Sequence, residues 1–228
     1  ADYAYGDSVY QRTRERMESA SGDFTEAGKT ASELGSANYG SYISQISNSD
    51  ADAVILGMTG GDLINFTSQA ADAGLKDQVN LVGPTMSFQV VRGALGNKAA
   101  GTYGGVRYNA NIDLGDNTAF AEAFQSQHDA PPDNFARVGY DSVRSIARGI
   151  QQAGSTDPAD VRDALSGATH TTVLGDVTYR ECDHQATNPT WMCEVVESDS
   201  GPAGVELLDK TPGEEALPDC GTMGCDLR

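Results

Sequence analysis

Lysine is scarce in this sequence. Only four of its 15 basic residues are Lys, against 33 acids, and the formal net charge is −18. A surface that grips a phosphate backbone needs clustered Lys and Arg, so nucleic acid is not an expected partner. Arg12, Arg14 and Arg16 come nearest to a cluster, but they alternate along one predicted helix and read as its exposed face. No run of about 18 apolar residues occurs, so no segment reads as a membrane-spanning helix. Histidine is sparse too: His128, His170 and His184 lie far apart. With no G-x-S-x-G elbow, P-loop or H-E-x-x-H motif, neither an enzyme nor a cofactor is expected. No signal-peptide pattern precedes "ADYAYGDS", as in a mature or trimmed product.

The acids that replace the missing lysines are spread along the chain, and Asp outnumbers Glu about two to one. Dispersed surface acid with little Lys fits a protein working in high salt, where screening confines charge repulsion to a few ångströms. The alternative is a moderately acidic secreted protein. The four cysteines, Cys182, Cys193, Cys220 and Cys225, fall in the last fifth of the chain. An even number in a loop-rich region suggests disulfides, with Cys182–Cys193 and Cys220–Cys225 the most local of the possible pairings. A zinc site with His184 competes, but the spacing lacks a C-x2-C knuckle. Disulfides imply an oxidising, extracytoplasmic place of work.

Along the chain, apolar runs alternate with helical patterns. Residues 8–20 read as a helix capped by Asp7 or Ser8. Tyr39, Tyr42, Ile43 and Ile46 share one helical face. Strands are expected over 53–56, 79–82 and 101–107, and helices over 62–73, the latter closed by Gly74, and 86–95. This rhythm predicts an α/β fold, a parallel sheet with crossover helices. Such sheets bind ligands at the carboxyl ends of their strands, here Tyr5-Gly6, residues 57–61 and residues 83–86. A helical section follows. Residues 117–128 place Phe120 and Phe124 inward, and 134–152 align Phe135, Val138, Ser142, Ile146 and Ile150. Asp157-Pro158 caps a third helix. Short strands are expected near 173–179 and 192–196, then a polar loop or tail.

Five blocks in order, "YAYGDSVYQ", "YISQISNSDADAVILGMTGGD", "FTSQAADAGLKDQVNLVGPT", "NFARVGYDSVRSIARGIQQAGSTDPADVRDAL" and "LGDVTYRECDHQATNP", are familiar as a set. Together they resemble the type 1 periplasmic binding proteins of the branched-chain amino acid class, which deliver ligand to ABC transporters. The resemblance implies two α/β lobes that close on a small solute, a permease as partner, and an extracellular or periplasmic location with a lipid anchor at the cell surface. It also implies that this sequence begins where the family's chain enters its second lobe. Residues 1–106 would be most of lobe two, and 107–167 helices of an incomplete lobe one. Residues 168–197 would be strands returning to lobe two, and 198–228 a cysteine-bearing tail. A fragment is then expected, with a partner-supplied lobe or self-association as alternatives.

Carried over residue by residue, the resemblance places ligand contacts at Tyr5, near Thr59 and at Thr85. Amino-acid binders often hold the ammonium with a glutamate at the last of these, and here it is Thr. Either another acid such as Asp62 turns inward, or the ligand is not a standard amino acid, since amides, urea and small carboxylates are bound by relatives. For Asp62 itself, a helix N-cap is the favoured reading over a ligand contact. Met58 and Met86 read as core beneath the tips. The functions in contention are therefore an importer's solute-binding component, a sensor domain of the same fold, and a structural or assembly protein of the cell surface. Glycines 57, 60 and 61 match neither G-x-G-x-x-G nor a P-loop, so the glycine-rich tip is not a nucleotide grip.

Overall fold

Three apolar runs become strands β1 (Ala53–Ile55), β2 (Asn80–Gly83) and β3 (Tyr103–Val106), paired in parallel with Val54 opposite Leu81 and Val82 opposite Tyr103. Parallel neighbours need crossover connections, and α3 (Gly60–Asp72) and α4 (Gln89–Leu95) supply them. Strands β6 (Thr190–Val196) and β7 (Gly204–Thr211) extend the sheet in the order β1-β2-β3-β6-β7. The computed structural model describes residues 1–20 and 24–222. It divides into a first unit, Ala1–Val106 with Met192–Leu208, and a second, Arg107–Trp191 with Asp209–Arg228.

In the first unit, Leu63, Phe66 and Ala70 of α3 and Val91 and Leu95 of α4 pack with Leu81 and Val195 into one core. Helix α2 (Gly40–Ser47) adds Ile43, and Tyr39 sets its ring edge-on to Phe66 at 5.6 Å. Burying each large side chain of this kind stabilises the unit by about 1.5–3 kcal/mol. The helix expected from residue 8 starts earlier, as α1 (Ala4–Ala20). It buries no residue, and Arg14 and Arg12 pair along it with Glu18 and Glu15. Helix α3 also starts before the expected residue 62, with Thr59 at its N-cap. Asp62 is therefore not the cap but a first-turn residue. Gly74 takes the left-handed conformation after α3, at φ +69°, as its place in the sequence predicts.

The second unit holds α5 (Asn117–His128), α6 (Asn134–Ala153), α7 (Pro158–Leu165), the hairpin β4 (Thr169–Thr172)–β5 (Gly175–Thr178) and α8 (Gly213–Ala216). Asp133 caps α6 by accepting from the Ala136 N–H at 2.8 Å, and Asp157 caps α7 from Ala159 at 2.9 Å. Helix α6 is turned against its own pattern. It buries Asn134, Arg137, Asp141, Ser145 and Gly149, while Phe135, Val143 and Ile146 stand 61%, 68% and 52% exposed. The buried side works through charge: Arg137 Nε lies 2.6 Å from Asp141 Oδ2, and Arg137 also donates to Asn188 Oδ1 at 2.8 Å. Asp141 Oδ1 accepts from the Val173 N–H at 3.0 Å, which ties α6 to the hairpin.

Three expectations change here. Of the strands expected over 168–197, β6 joins the five-stranded sheet, whereas β4 and β5 pair only with each other. Residues 204–211, read as loop or tail, form β7. The disulfide joins Cys182 to Cys220 in the second unit, with Cα atoms 5.8 Å apart and a sequence separation of 38, so neither local pairing forms. Cys193 is free and buried, because the period of two along β6 turns Trp191, Cys193 and Val195 inward. Cys225 lies outside the described residues. Oxidation of Cys182 likewise removes it as a zinc ligand.

Candidate functional site

Two pairs of glycines shape the carboxyl ends of the parallel strands in the first unit. A Cβ on Gly57 would meet the Gly6 carbonyl oxygen at 3.2 Å and its Cα at 3.3 Å. Only a backbone without side chains can approach so closely, and this seats the first turn of α1 against the end of β1. Tyr5 comes with it, half-buried, its ring stacked on Tyr3 at 6.1 Å. At the neighbouring tip, a Cβ on Gly104 would lie 2.9 Å from the Gly83 carbonyl oxygen and 3.1 Å from Met86 Cβ. The 84–88 turn therefore folds closely over β3, and Ser87 donates its hydroxyl to the Gly105 carbonyl.

Between these tips, Thr85 donates to Thr59 Oγ1 at 3.3 Å. Thr85 is buried and Thr59 is exposed, so the pair runs from the protein outward. Gly60, at φ +57°, turns the chain from Thr59 into α3. Met58 and Met86 are buried in the core beneath, as expected of them. The structure thus brings Thr59 and Thr85 together directly, and the Gly6–Gly57 contact holds Tyr5 beside the same strand end.

Asp62 is placed differently. The residue is 5% exposed, and its carboxylate accepts from the Gly35 N–H at 3.0 and 3.2 Å, which pins the 24–39 segment to α3. Burial, and then the Asp62 charge, push the Tyr39 hydroxyl up to about 12. Ser87, the Tyr3 ring and the Gly104-Gly105 pair were not singled out from sequence. Consecutive glycines inside a strand were the available signal, because they mark close backbone approach.

Elsewhere, burial raises the Cys193 thiol to about 11, which favours its protonated form at neutral pH. His128 lies against Phe124 at 4.3 Å, and His170 is buried on β4. In the second unit a groove of about 500 Å³ opens between α6 and α7, walled by Ile146, Ile150, Val161 and Leu165. No helix among the described residues is long and apolar enough to cross a membrane.

Residues 1–202 match the family described as "Periplasmic binding protein". The chain is 27% identical over 151 residues to the Leu/Ile/Val-binding protein homolog 1 of Brucella abortus, a match covering 65% of this chain and 39% of that protein. Its fold is similar to an amino acid ABC transporter substrate-binding protein from Pseudomonas fluorescens Pf-5, at a TM-score of 0.88 and 20% identity, covering 99% of this chain and 60% of the other. It is also similar to a Rhodopseudomonas palustris HaA2 solute-binding protein in complex with p-hydroxybenzoic acid, at a TM-score of 0.80 and 22% identity, covering 98% and 61%. At such identities the structural matches speak to the fold. The chain thus spans between 39% and 61% of the length of these relatives.

Proposed function

Because the chain belongs to the periplasmic binding protein family, matched over residues 1–202, we propose that it forms the greater part of a solute-binding component of an ABC importer. In this reading the first unit presents its strand tips to a small solute, with Tyr5, Thr59 and Thr85 as contacts. A second lobe closes over the same solute, and the permease reads the closure. No catalytic group is required: affinity and a hinge motion are the whole mechanism. The observation that carries the reading is the joined Thr59–Thr85 hydroxyl pair at the carboxyl ends of parallel strands, where open α/β sheets take ligands.

The solute is a small organic molecule of the size its relatives hold: branched-chain amino acids by name in the Brucella abortus protein, an aromatic acid in the Rhodopseudomonas palustris one. Asp62 supports the site through Gly35 rather than touching the solute. The Cys182–Cys220 disulfide favours an extracytoplasmic location, and the dispersed acid favours high salt. A lipid anchor at the cell surface belongs to the same reading.

Helices within residues 107–167 belong, in this assignment, to the other lobe. The exposed apolar stripe of α6 supports that, since a face of this kind needs a cover. The same stripe favours the second reading, an assembly protein that self-associates through α6. Thermal shift of the full-length protein in molar salt, against amino acids, amides, urea and benzoates, separates the two. A rise with one solute class that Tyr5→Ala and Thr85→Val abolish supports transport. A flat panel together with a concentration-dependent oligomer that Ile146→Glu dissolves refutes it.

A further inference from the structure

Asn65-Phe66-Thr67 has no part in the strand-tip site, yet it is an Asn-x-Thr run with x other than Pro. In an extracytoplasmic protein such a run is the acceptor for an N-linked glycan. It occurs once in the chain; Asn188-Pro189-Thr190 has the same spacing but is blocked by its proline. Three-residue patterns arise readily by chance, so the two polar side chains have to be weighed one by one. All three residues lie in α3, where positions two apart point to opposite sides. Asn65 is exposed on the outer face, whereas Phe66 and Thr67 are 2% and 0% exposed in the core. The Thr67 hydroxyl has no hydrogen-bond partner among the described residues. A threonine inside a helix commonly relieves its hydroxyl on the carbonyl four residues back, and Thr67 does not. Valine would fill the same space without stranding a polar group. In the folded protein this hydroxyl therefore costs stability. In the unfolded chain it has a use, because the acceptor signal requires a hydroxyl two residues after Asn.

We propose that Asn65 carries an N-linked glycan, added while α3 is still unfolded. The order follows from burial. A transferring enzyme has to reach Asn65 and Thr67 together, and the folded helix offers only the first. Transfer joins Asn65 Nδ2 to the anomeric carbon of an oligosaccharide carried on a lipid phosphate. The carbon–oxygen bond to that phosphate breaks, the lipid phosphate leaves with the electron pair, and the amide nitrogen gives up one proton. The donor is thus a lipid-linked oligosaccharide, and the chain meets it at a membrane that it is crossing. Once α3 has formed, the sugar projects into solvent from its outer face and leaves the core packing of Phe66 untouched. Of the functional reading above, the proposal needs only the extracytoplasmic location that the disulfide favours.

The test is peptide mapping by mass spectrometry of the full-length protein purified from the cells that produce it. Tryptic cleavage isolates Asn65 in residues 30–76 and Asn188 in residues 181–210. The first peptide should carry one glycan on Asn65, and the second should be bare at Asn188. An unmodified Asn65 overturns the proposal. The second peptide also contains Cys182, so its linkage to Cys220 reports the location separately. A bare Asn65 beside an intact disulfide overturns the glycan and leaves the extracytoplasmic reading standing; a bare Asn65 beside a reduced Cys182 overturns both.

Two variants and one chemical treatment separate signal, order and structure. Thr67→Val should lose the glycan and Thr67→Ser should keep it; a Thr67→Val protein still modified at Asn65 overturns the role of the signal. Made without glycan, Thr67→Val should melt about 2–4 °C above wild type, since it removes a buried hydroxyl that bonds to nothing. A lower Tm would show that the hydroxyl serves the fold, and the argument for its retention would fail. For the order, glycan-free protein is presented to an oligosaccharide transferase with its lipid-linked donor, either folded or alkylated at Cys193, which then cannot pack in the core. The alkylated chain should be modified at least tenfold faster, and equal rates overturn transfer before folding.

Discussion

Replacing Asp141 by Asn should destabilise the protein far more than a one-atom change suggests. Asp141 and Arg137 are both buried, at 7% and 4% exposure. The close contact between Arg137 Nε and Asp141 Oδ2, 2.6 Å, is not aligned as a hydrogen bond, so the pair is held chiefly by charge. Burial lowers the Arg137 pKa from its ordinary value, and the Asp141 charge opposes that shift. Desolvation is thus the larger effect, and the carboxylate is what makes the buried guanidinium tolerable. Asn keeps an acceptor for the Val173 N–H but removes the charge, for a loss of about 3 kcal/mol. Ala also leaves the Val173 N–H unpaired, which adds about 1–3 kcal/mol. For a chain of this length each kcal/mol lowers Tm by about 2–4 °C, so Asp141→Asn should melt roughly 6–12 °C lower by calorimetry. The double variant Arg137→Met/Asp141→Asn, which removes both charges and keeps an acceptor for the Val173 N–H, should return to within about 1 kcal/mol of wild type, because a buried pair gains little net energy over uncharged, well-packed residues. A loss under about 1 kcal/mol for Asp141→Asn, or a double variant no better than the single, would refute this account.

Three other perturbations have calculable outcomes. Reducing Cys182–Cys220, which closes a 38-residue separation, should cost about 4 kcal/mol on a chain-entropy basis. Peptide mapping under non-reducing conditions should recover this bridge and find Cys193 alkylated only after unfolding. His170 is buried on β4, and its pKa is lowered from 6.5 by burial and then by Arg148. Its neutral form contributes stability above pH 6.5. Below that the unfolded chain takes up a proton that the fold refuses, so stability falls by up to about 1.4 kcal/mol per pH unit. His170→Gln should flatten this part of the urea-denaturation profile, and an unchanged slope would exclude His170 as its source. Raising KCl from tenth-molar to molar should raise Tm, because a net charge of −18 repels itself; a falling Tm would contradict the high-salt reading.

The parallel core was legible because local signals agreed. Apolar runs at 53–56 and 79–82 were bounded by glycine, and amphipathic spacing from Tyr39 to Ile46 matched α2. The disulfide was not legible. Sequence proximity favoured Cys182 with Cys193, but the alternation of β6 drives Cys193 into the first unit's core, and chain folding brings Cys220 to Cys182 instead. Which face of α6 is buried was not legible either, for a related reason. Phe135, Val138, Ile146 and Ile150 form a better apolar stripe than Arg137, Asp141 and Ser145 do. Periodicity reports that a helix has two faces, but which face is covered depends on partners that a pattern does not contain. Here the polar face is the buried one, since Asp141 captures the Val173 N–H and Arg137 captures Asn188.

The strand tips show the same division between what a sequence states and what a fold adds. Glycine-rich tips were visible at once, and the absence of a phosphate-binding pattern excluded a nucleotide. What the glycines do became clear only in pairs distant in sequence: Gly6 against Gly57, and Gly83 against Gly104. Each pair lets two backbones approach where a methyl group would collide, and each approach delivers side chains to one place, Tyr5 in the first case and Ser87 in the second. Gly104→Ala should therefore act on the site through position alone. Its methyl would fall 2.9 Å from the Gly83 carbonyl oxygen and 3.1 Å from Met86 Cβ, backbone and core atoms that cannot swing aside. The 84–88 turn has to lift, which separates Thr85 from Thr59. A displacement of this kind should weaken solute binding at least as much as Thr85→Val does. The measurement is titration of both variants with whichever solute the panel identifies. A Gly104→Ala protein with wild-type affinity would show that the turn does not set the geometry of the hydroxyl pair.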